Sequence, residues 1–471
     1  MNAFPRKAAA VAALAIACVT GWLSLEAPRG TLADTDELLT AERSREMLLL
    51  GRSEVHFNFQ PSFEKPPLQY WLTSVTLPRF KNRTLAVRIW PLIYGALTLI
   101  AVAWLAFLID STRPWLVPLS VALLASCPLF SAEMSRGLLD LGLTFFTTLA
   151  ILFAHLARKR PVLWLAVAMV SWLGCLQKIP LIFLVWALIL IVRLSSATER
   201  PSVRSGWVIL SIIGALLAVS VWPAIQLVKY QMPLGSVFHE EVVVWLGPQY
   251  LGTRPYLEIP RRLIVVSVCG LFLLLAPFVV LVWRTQRFSG AVKEISIVCL
   301  GLIGLAVVSN FRSVRYIVPI IPALCLILAI VLHRLLEQKR AIRIGTIAFL
   351  IVLLTAGFVQ TKIQIDSRRK DVANEKRVAE ELGALQREGT RTVLIREVAT
   401  GTDLLFDSFY LFHGNLRFPV AKYKTGEIRQ SPPSPPLVGV CIARDLPVVQ
   451  EVYPNVRVQF TRAQFILWRV D

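Results

Sequence analysis

Apolar runs separated by polar breaks fill the first 360 residues of the chain, near 8–27, 89–109, 114–132, 138–157, 162–176, 180–194, 206–228, 263–283, 294–309, 316–335 and 342–360. A helix needs roughly 20 apolar residues to cross the hydrocarbon layer of a bilayer. The runs reach or approach that length, so the pattern predicts eleven transmembrane helices. Most breaks are short, as connectors usually are. Two are not. Residues 229–262 form one long interruption, and residues 33–88 form a longer one that begins ADTDELLTAERSREMLLLGRSEVHFNFQPSFEKPPLQYW, from Ala33 to Trp71.

Beyond residue 361 the apolar density drops. Val372, Val378, Leu382 and Leu385 recur at helical spacing among charges, which predicts an amphipathic helix over 371–387. Residues 392–396, 437–442 and 456–460 carry the short β-branched runs of strands, and Ser431-Pro-Pro-Ser-Pro-Pro is a stiff connector between two of them. The expected fold class is an all-α polytopic membrane protein with a small external C-terminal α/β domain. The division places a transmembrane domain over 1–360, with external loops 33–88 and 229–262, and a second domain over 361–471. No internal repeat is visible.

Composition sharpens this picture. With 55% hydrophobic residues and a mean hydropathy of +0.62, no soluble globule has enough interior for this chain. A formal charge of +20 invites a nucleic-acid reading, but the basic residues sit mostly between apolar runs. They read as topology signals and lipid-headgroup contacts, and no nucleic-acid partner is expected. An N-terminus inside puts Arg113, Arg158-Lys159-Arg160, Arg193/Arg200/Arg204, Arg284/Arg287/Lys293 and Arg334/Lys339/Arg340/Arg343 on the cytoplasmic side. All the inner loops are then basic, and both long loops and the C-terminal tail lie outside. The first run, preceded by Arg6 and Lys7, reads as a transmembrane helix because no small-residue cleavage site follows it. Seven scattered cysteines without a CxxC pair suggest no disulfide framework.

External short loops are normally poor in Lys and Arg, so the exceptions mark candidate chemistry. Lys178 ends one run (GCLQKIP), Arg312 and Arg315 lie between two others (SNFRSVRY), and Arg136 and Asp140 open another (SRGLLDLGLTFF). All share a side with loop 33–88 and its carboxylates. Cations at headgroup level suit a lipid-linked phosphate, and carboxylates suit a metal, a general base or a substrate amine. Each position also has a plain alternative. Lys178 fits a snorkelling lysine, Asp140 an N-cap, Arg312 and Arg315 ordinary lipid phosphates, and Asp36-Glu37 a solvated helix start. His239, followed by Glu240 and Glu241, is the one histidine placed as a metal candidate.

The order of these motifs resembles a known family. Asp36-Glu-Leu-Leu-Thr-Ala-Glu-Arg-Ser-Arg-Glu-Met47 followed by Phe63-Glu-Lys-Pro-Pro-Leu-Gln-Tyr-Trp71 is similar to the first external loop of the ArnT-like and protein-mannosyltransferase-like GT-C glycosyltransferases. SRGLLDLGLTFFTTLA, GCLQKIP and RYIVPIIPALCLILA resemble further segments of that family, in the same order. Two positions depart from it: Leu39 and Thr40 stand where the family pattern has Arg and Tyr. The resemblance implies a polyprenyl-phosphate sugar donor, inverting transfer on the outer face of a bacterial inner membrane, and a lipid or glycan acceptor such as lipid A. It implies Asp36 as the catalytic carboxylate with Glu37 beside it, and Asp140 in the same pocket. Lys65, Lys178, Arg312, Arg315 and Arg136 would face the donor phosphate. Some members bind a divalent metal between the FEKPP glutamate and a second-loop histidine; Glu64 matches the first, and His239 or Glu241 stands near the second. A divalent metal is the one cofactor this reading admits. A protein hydroxyl is the alternative acceptor, and a transporter or flippase of lipid-linked sugars is the rival from another class.

Overall fold

The computed structural model describes residues 3–178, 181–231, 233, 235, 290–308, 314–395 and 407–471. In chain order the helices used below are α1 (Ala3–Glu26), α2 (Thr35–Leu50), α3 (Leu68–Thr76), α4 (Arg83–Ile109), α5 (Leu116–Ser126), α6 (Pro128–Met134), α7 (Asp140–Leu156), α8 (Trp164–Gln177), α9 (Leu181–Ser195) and α10 (Gly206–Lys229). After them come α11 (Gly290–Val308), α12 (Ile321–Leu336), α13 (Arg340–Ser367), α14 (Ala373–Leu385) and α15 (Asp407–His413). Helices thus occupy the expected apolar runs within the described residues, and the run near 263–283 lies outside them. Among the described residues, five helical segments are individually long and apolar enough to cross a membrane, or six if the bent pair α5–α6 counts as one. Helices α7 and α9, and the segment Pro161–Gln177 containing α8, are apolar but shorter.

The chain forms two compact units. The first comprises Met1–Ala27, Glu64–Gln69 and Arg88–Asp366. Within it α1 packs on α5, α5 on α12, α7 on α8, α8 on α10, and α9 on α11. The run expected at 114–132 breaks at Cys127, where α5 and α6 meet at 71°. Pro128 is the cause: it has no N–H to continue the ladder, and it suits the first position of a new helix. Close backbone approach is made by small residues, as usual between membrane helices. Gly357 of α13 lies against the carbonyl of Ser126, where a Cβ would collide.

Arg193, counted with Arg200 and Arg204 as a loop charge, is instead fully buried. It makes two bonds to Glu294, of 2.6 and 2.9 Å, and lies over the Trp164 ring. Arg158 joins Glu294 at 2.9 Å and Glu199 at 2.8 Å. This network locks α9 to α11 and satisfies charges that a membrane interior would otherwise expel.

The second unit comprises Pro28–Phe63, Tyr70–Val87 and Ser367–Asp471. Most of the loop over 33–88 therefore folds with the C-terminal segment. Its sheet has β3 (Arg391–Ile395) parallel to β4 (Val420–Tyr423) and to β5 (Leu437–Ile442). The remaining strands, β6 (Arg457–Arg462) and β7 (Phe465–Val470), are antiparallel, and β7 joins β5 to give the order β4-β3-β5-β7-β6. A short hairpin, β1 (His56–Phe57) and β2 (Gln60–Pro61), lies in the loop part. The amphipathic helix expected over 371–387 is α14, with Val378, Ala379 and Leu382 buried. Its apolar stripe joins Leu32, Leu38 and Ala41 of the loop and Leu411, Phe412 and Leu467 of the tail in one core.

Candidate functional site

A buried charge node forms in the first unit at the start of α7. Helix α8 ends at Gln177 because Lys178 leaves helical geometry, at φ −155° and ψ −81°. Lys178 Nζ donates to Asp140 Oδ1 at 2.5 Å, and both side chains are almost wholly buried. Arg315 Nε approaches Asp140 Oδ2 at 4.0 Å. One carboxylate thus meets two cations at the start of α7. Beside them in sequence, Arg136 donates from Nη1 to both Glu133 oxygens at 3.0 and 3.1 Å.

Three of the residues singled out from sequence, Asp140, Lys178 and Arg315, are therefore brought together. Asp140 does not cap α7: the residue before the helix is Leu139, and the Asp140 carboxylate serves the cations. Arg136 pairs with Glu133. Glu64 is exposed and Lys65 half-buried, both in the Glu64–Gln69 stretch of this unit. Arg312 and His239 lie outside the described residues. Among the described residues no group of three His, Cys, Asp or Glu side chains gathers to hold a metal, so no step below runs through one.

Two residues missed from sequence fasten the Glu64–Gln69 stretch to the node. Gln177, adjacent to Lys178, donates from Nε2 to Gln69 Oε1 at 3.0 Å and to the Leu139 carbonyl at 3.1 Å. Both glutamines are fully buried. Two buried amides beside Lys178 and the Pro66-Pro67 turn were the available signal. Gly142 makes the arrangement possible, since a Cβ there would overlap the Gln177 amide. Gly142→Val is expected to push Gln177 off Gln69 and cost about 1–3 kcal/mol, typical of overpacking. A thermal-unfolding comparison in detergent checks this, and an unchanged Tm would contradict the packing.

The second unit carries the acidic helix. Asp34 is the N-cap of α2, its carboxylate accepting from Asp36 N at 3.1 Å and Glu37 N at 3.4 Å. Asp36 and Glu37 then fill the first turn, where the helix dipole favours negative charge. Asp36 is half-buried and Glu37 buried, and neither supplies the cap. The helix stops at Gly51, whose φ of 61° is left-handed.

Farther along α2, Glu42 grips Arg45 through bonds of 2.6 and 2.7 Å, and Arg45 reaches Asn415 at 3.3 Å. Glu46 is fully buried and accepts from Phe59 N at 2.9 Å. Burial, and secondarily the neighbouring Glu42, push its carboxyl up to about 8. A carboxyl raised on folding binds a proton more tightly in the native state, so it removes stability as pH rises from the unfolded value toward 8. Glu46→Gln is expected to unfold at higher temperature than the natural chain at pH 8.5, with the two converging below about pH 4.5. Parallel pH profiles would refute the assignment.

The fold defines the class of protein. The fold is shared with the crystal structure of ArnT from Cupriavidus metallidurans bound to undecaprenyl phosphate, which superposes with a TM-score of 0.76. That match covers 97% of both chains at 14% identity. Residues 64–224, from the FEKPP glutamate through Asp140 and Lys178, match the family described as dolichyl-phosphate-mannose-protein mannosyltransferase. The chain is 27% identical over 197 residues to undecaprenyl phosphate-alpha-4-amino-4-deoxy-L-arabinose arabinosyl transferase 1 of Pseudomonas fluorescens, covering 40% of this chain and 34% of the relative. It is 31% identical over 155 residues to arabinosyl transferase 2 of Sodalis glossinidius, covering 31% of this chain and 28% of the relative. It thus spans about a third of the length of these curated relatives. The resemblance read from the sequence holds: the chain is similar in fold to ArnT over nearly its whole length, and in sequence to the mannosyltransferase family over residues 64–224.

Proposed function

We propose that the chain transfers a sugar from a polyprenyl-phosphate donor to a lipid or glycan acceptor of the envelope, with inversion, on the periplasmic face of a bacterial inner membrane. The acceptor class is lipid A or lipopolysaccharide-like, and the sugar a pentose or hexose. The reading includes eleven crossings with the N-terminus inside. One observation carries it: the buried Asp140–Lys178–Arg315 node, with two cations on one carboxylate. Charged groups buried in a membrane chain are costly and mark function by default.

The chemistry follows from the two cations gathered there. Breaking the bond from the anomeric carbon to the phosphate oxygen releases polyprenyl phosphate, already a good leaving group, and cations held at its departing oxygen stabilise the charge that develops there. Lys178 and Arg315, oriented by Asp140, take that part, with Lys65 and Arg312 as further candidates. The acceptor hydroxyl attacks the anomeric carbon from the face opposite the phosphate. Asp36 takes the hydroxyl proton as general base, with Glu37 next to it. A phosphate acceptor is nucleophilic without such a base.

Lys65→Ala is expected to weaken donor binding about tenfold, the loss of one charge-assisted contact. Binding of polyprenyl phosphate to purified protein measures it, and unchanged affinity would remove Lys65 from the phosphate site. Mass spectrometry of envelope lipids from cells with and without the chain tests the overall reading. A sugar-modified lipid that appears only with the active chain supports it. The bent pair α5–α6 is the one feature shared with transporters, which use broken helices. A flippase would move the donor across vesicles without consuming it.

A further inference from the structure

A cavity in the membrane unit, of about 180 Å³, opens among the ends of α4, α11 and α12 and the start of α5. Asp110, Arg113, Val292, Ile330, His333 and Arg334 line it. Asp110 directly follows α4, and Arg334 lies in the last turn of α12. Both helices belong to spans of 20 residues or more, so the cavity stands where two spans end together. On the positive-inside pattern this is the cytoplasmic rim, opposite the side assigned to the charge node.

Its lining combines apolar side chains with two arginines. Asp110 is already occupied: Oδ1 accepts from Thr112 N at 3.1 Å and from Thr112 Oγ1 at 2.5 Å, and Oδ2 lies 3.4 Å from Arg113. Arg113 also meets Glu337 at 3.1 Å, and His333 Nδ1 lies 3.5 Å from the same carboxylate. Glu337 itself does not line the cavity. Two guanidiniums therefore face a space roughly ten times larger than one water requires. Guanidinium forks match phosphate oxygens in pairs, and Val292 and Ile330 offer an apolar wall for the first carbons of an acyl chain. Basic pockets between helices at a cytoplasmic rim take phospholipid headgroups.

We infer that Arg113 and Arg334 form a binding site for the phosphate of a membrane phospholipid at the cytoplasmic rim, separate from the sugar-donor site. Lipid held there bridges α4, α11 and α12. The inference stands whether or not the transfer reaction is as proposed above.

The test is native mass spectrometry of the purified, delipidated full chain titrated with dioleoyl phosphatidylglycerol, phosphatidylethanolamine, dioleoylglycerol or inorganic phosphate. Both phospholipids are expected to bind and dioleoylglycerol not to. Affinity is expected to fall about tenfold or more in Arg334→Gln and in Arg113→Gln, through loss of one charge-assisted contact. Arg334→Lys keeps a cation and binds more tightly than Arg334→Gln. Arg160→Gln, on another basic turn, leaves binding unchanged. If Arg334→Gln fails to fold, the partly exposed Arg113 carries the same comparison. Equal retention of dioleoylglycerol, equal affinity in the glutamine variants, or binding of inorganic phosphate that displaces no phospholipid overturns the inference.

Discussion

Lys178→Ala is expected to abolish sugar transfer and to lower thermal stability together. The lysine ammonium and the Asp140 carboxylate meet at 2.5 Å with almost no solvent access. Removing one partner leaves the other charge buried, which costs about 3–5 kcal/mol in comparable pairs. Removing both partners separates structure from chemistry. Lys178→Ala combined with Asp140→Ala is expected to recover part of the lost stability, because the carboxylate stripped of its lysine is gone and Arg315, which also faces Asp140, is partly exposed to solvent. It is expected to recover no turnover, because the cation for the leaving phosphate is gone. Thermal unfolding and a transfer assay on the same three preparations make the comparison. A double variant that regains activity along with stability would reduce the pair to a structural strut.

Asp36→Asn is expected to lower transfer to a hydroxyl acceptor by about 10²–10⁴-fold, the range for loss of a general base. The chain should fold and insert normally. Asp34 rather than Asp36 caps α2, so the bonds to Asp36 N and Glu37 N survive the change. Loss of one charge in the first helical turn costs about 0.3–1 kcal/mol. The contrasting variant is Asp34→Ala. It loses the cap, with about 1 kcal/mol of stability, yet keeps measurable turnover. If Asp34→Ala abolished activity while Asp36→Asn retained it, Asp36 would lose its role as base.

How much of this was legible beforehand depends on how local each feature is. Apolar runs announce helices because crossing a bilayer demands length and composition together, and the ends of α7, α8 and α10 fall within a few residues of the expected ones. Asp140, Lys178 and Arg315 stood out because charges at the ends of apolar runs are rare. Their pairing, across 38 residues between Asp140 and Lys178, is a product of packing. Arg193 misled because a cation at the end of a run looks the same whether it meets headgroups or a buried Glu294. The bend at Pro128 was present in the sequence but hidden inside a continuous apolar stretch.

The second unit was harder to read. Strand β7 (FILWRV) is apolar almost throughout and buried along nearly its whole length, so it shows no alternation. The core joining Leu38 to Phe412 and Leu467 unites segments hundreds of residues apart, which no local pattern encodes. Glu46 was visible only as one carboxylate among several. Its burial, and the Phe59 N–H it accepts, come from the hairpin fold.

The most direct measurement is a transfer assay on the purified chain in liposomes, supplied with a polyprenyl-phosphate sugar and an envelope lipid acceptor. Release of free polyprenyl phosphate in step with sugar-bearing acceptor, absent in Lys178→Ala, is the expected result. Donor that crosses the bilayer intact, or turnover undiminished by loss of Lys178, would contradict it.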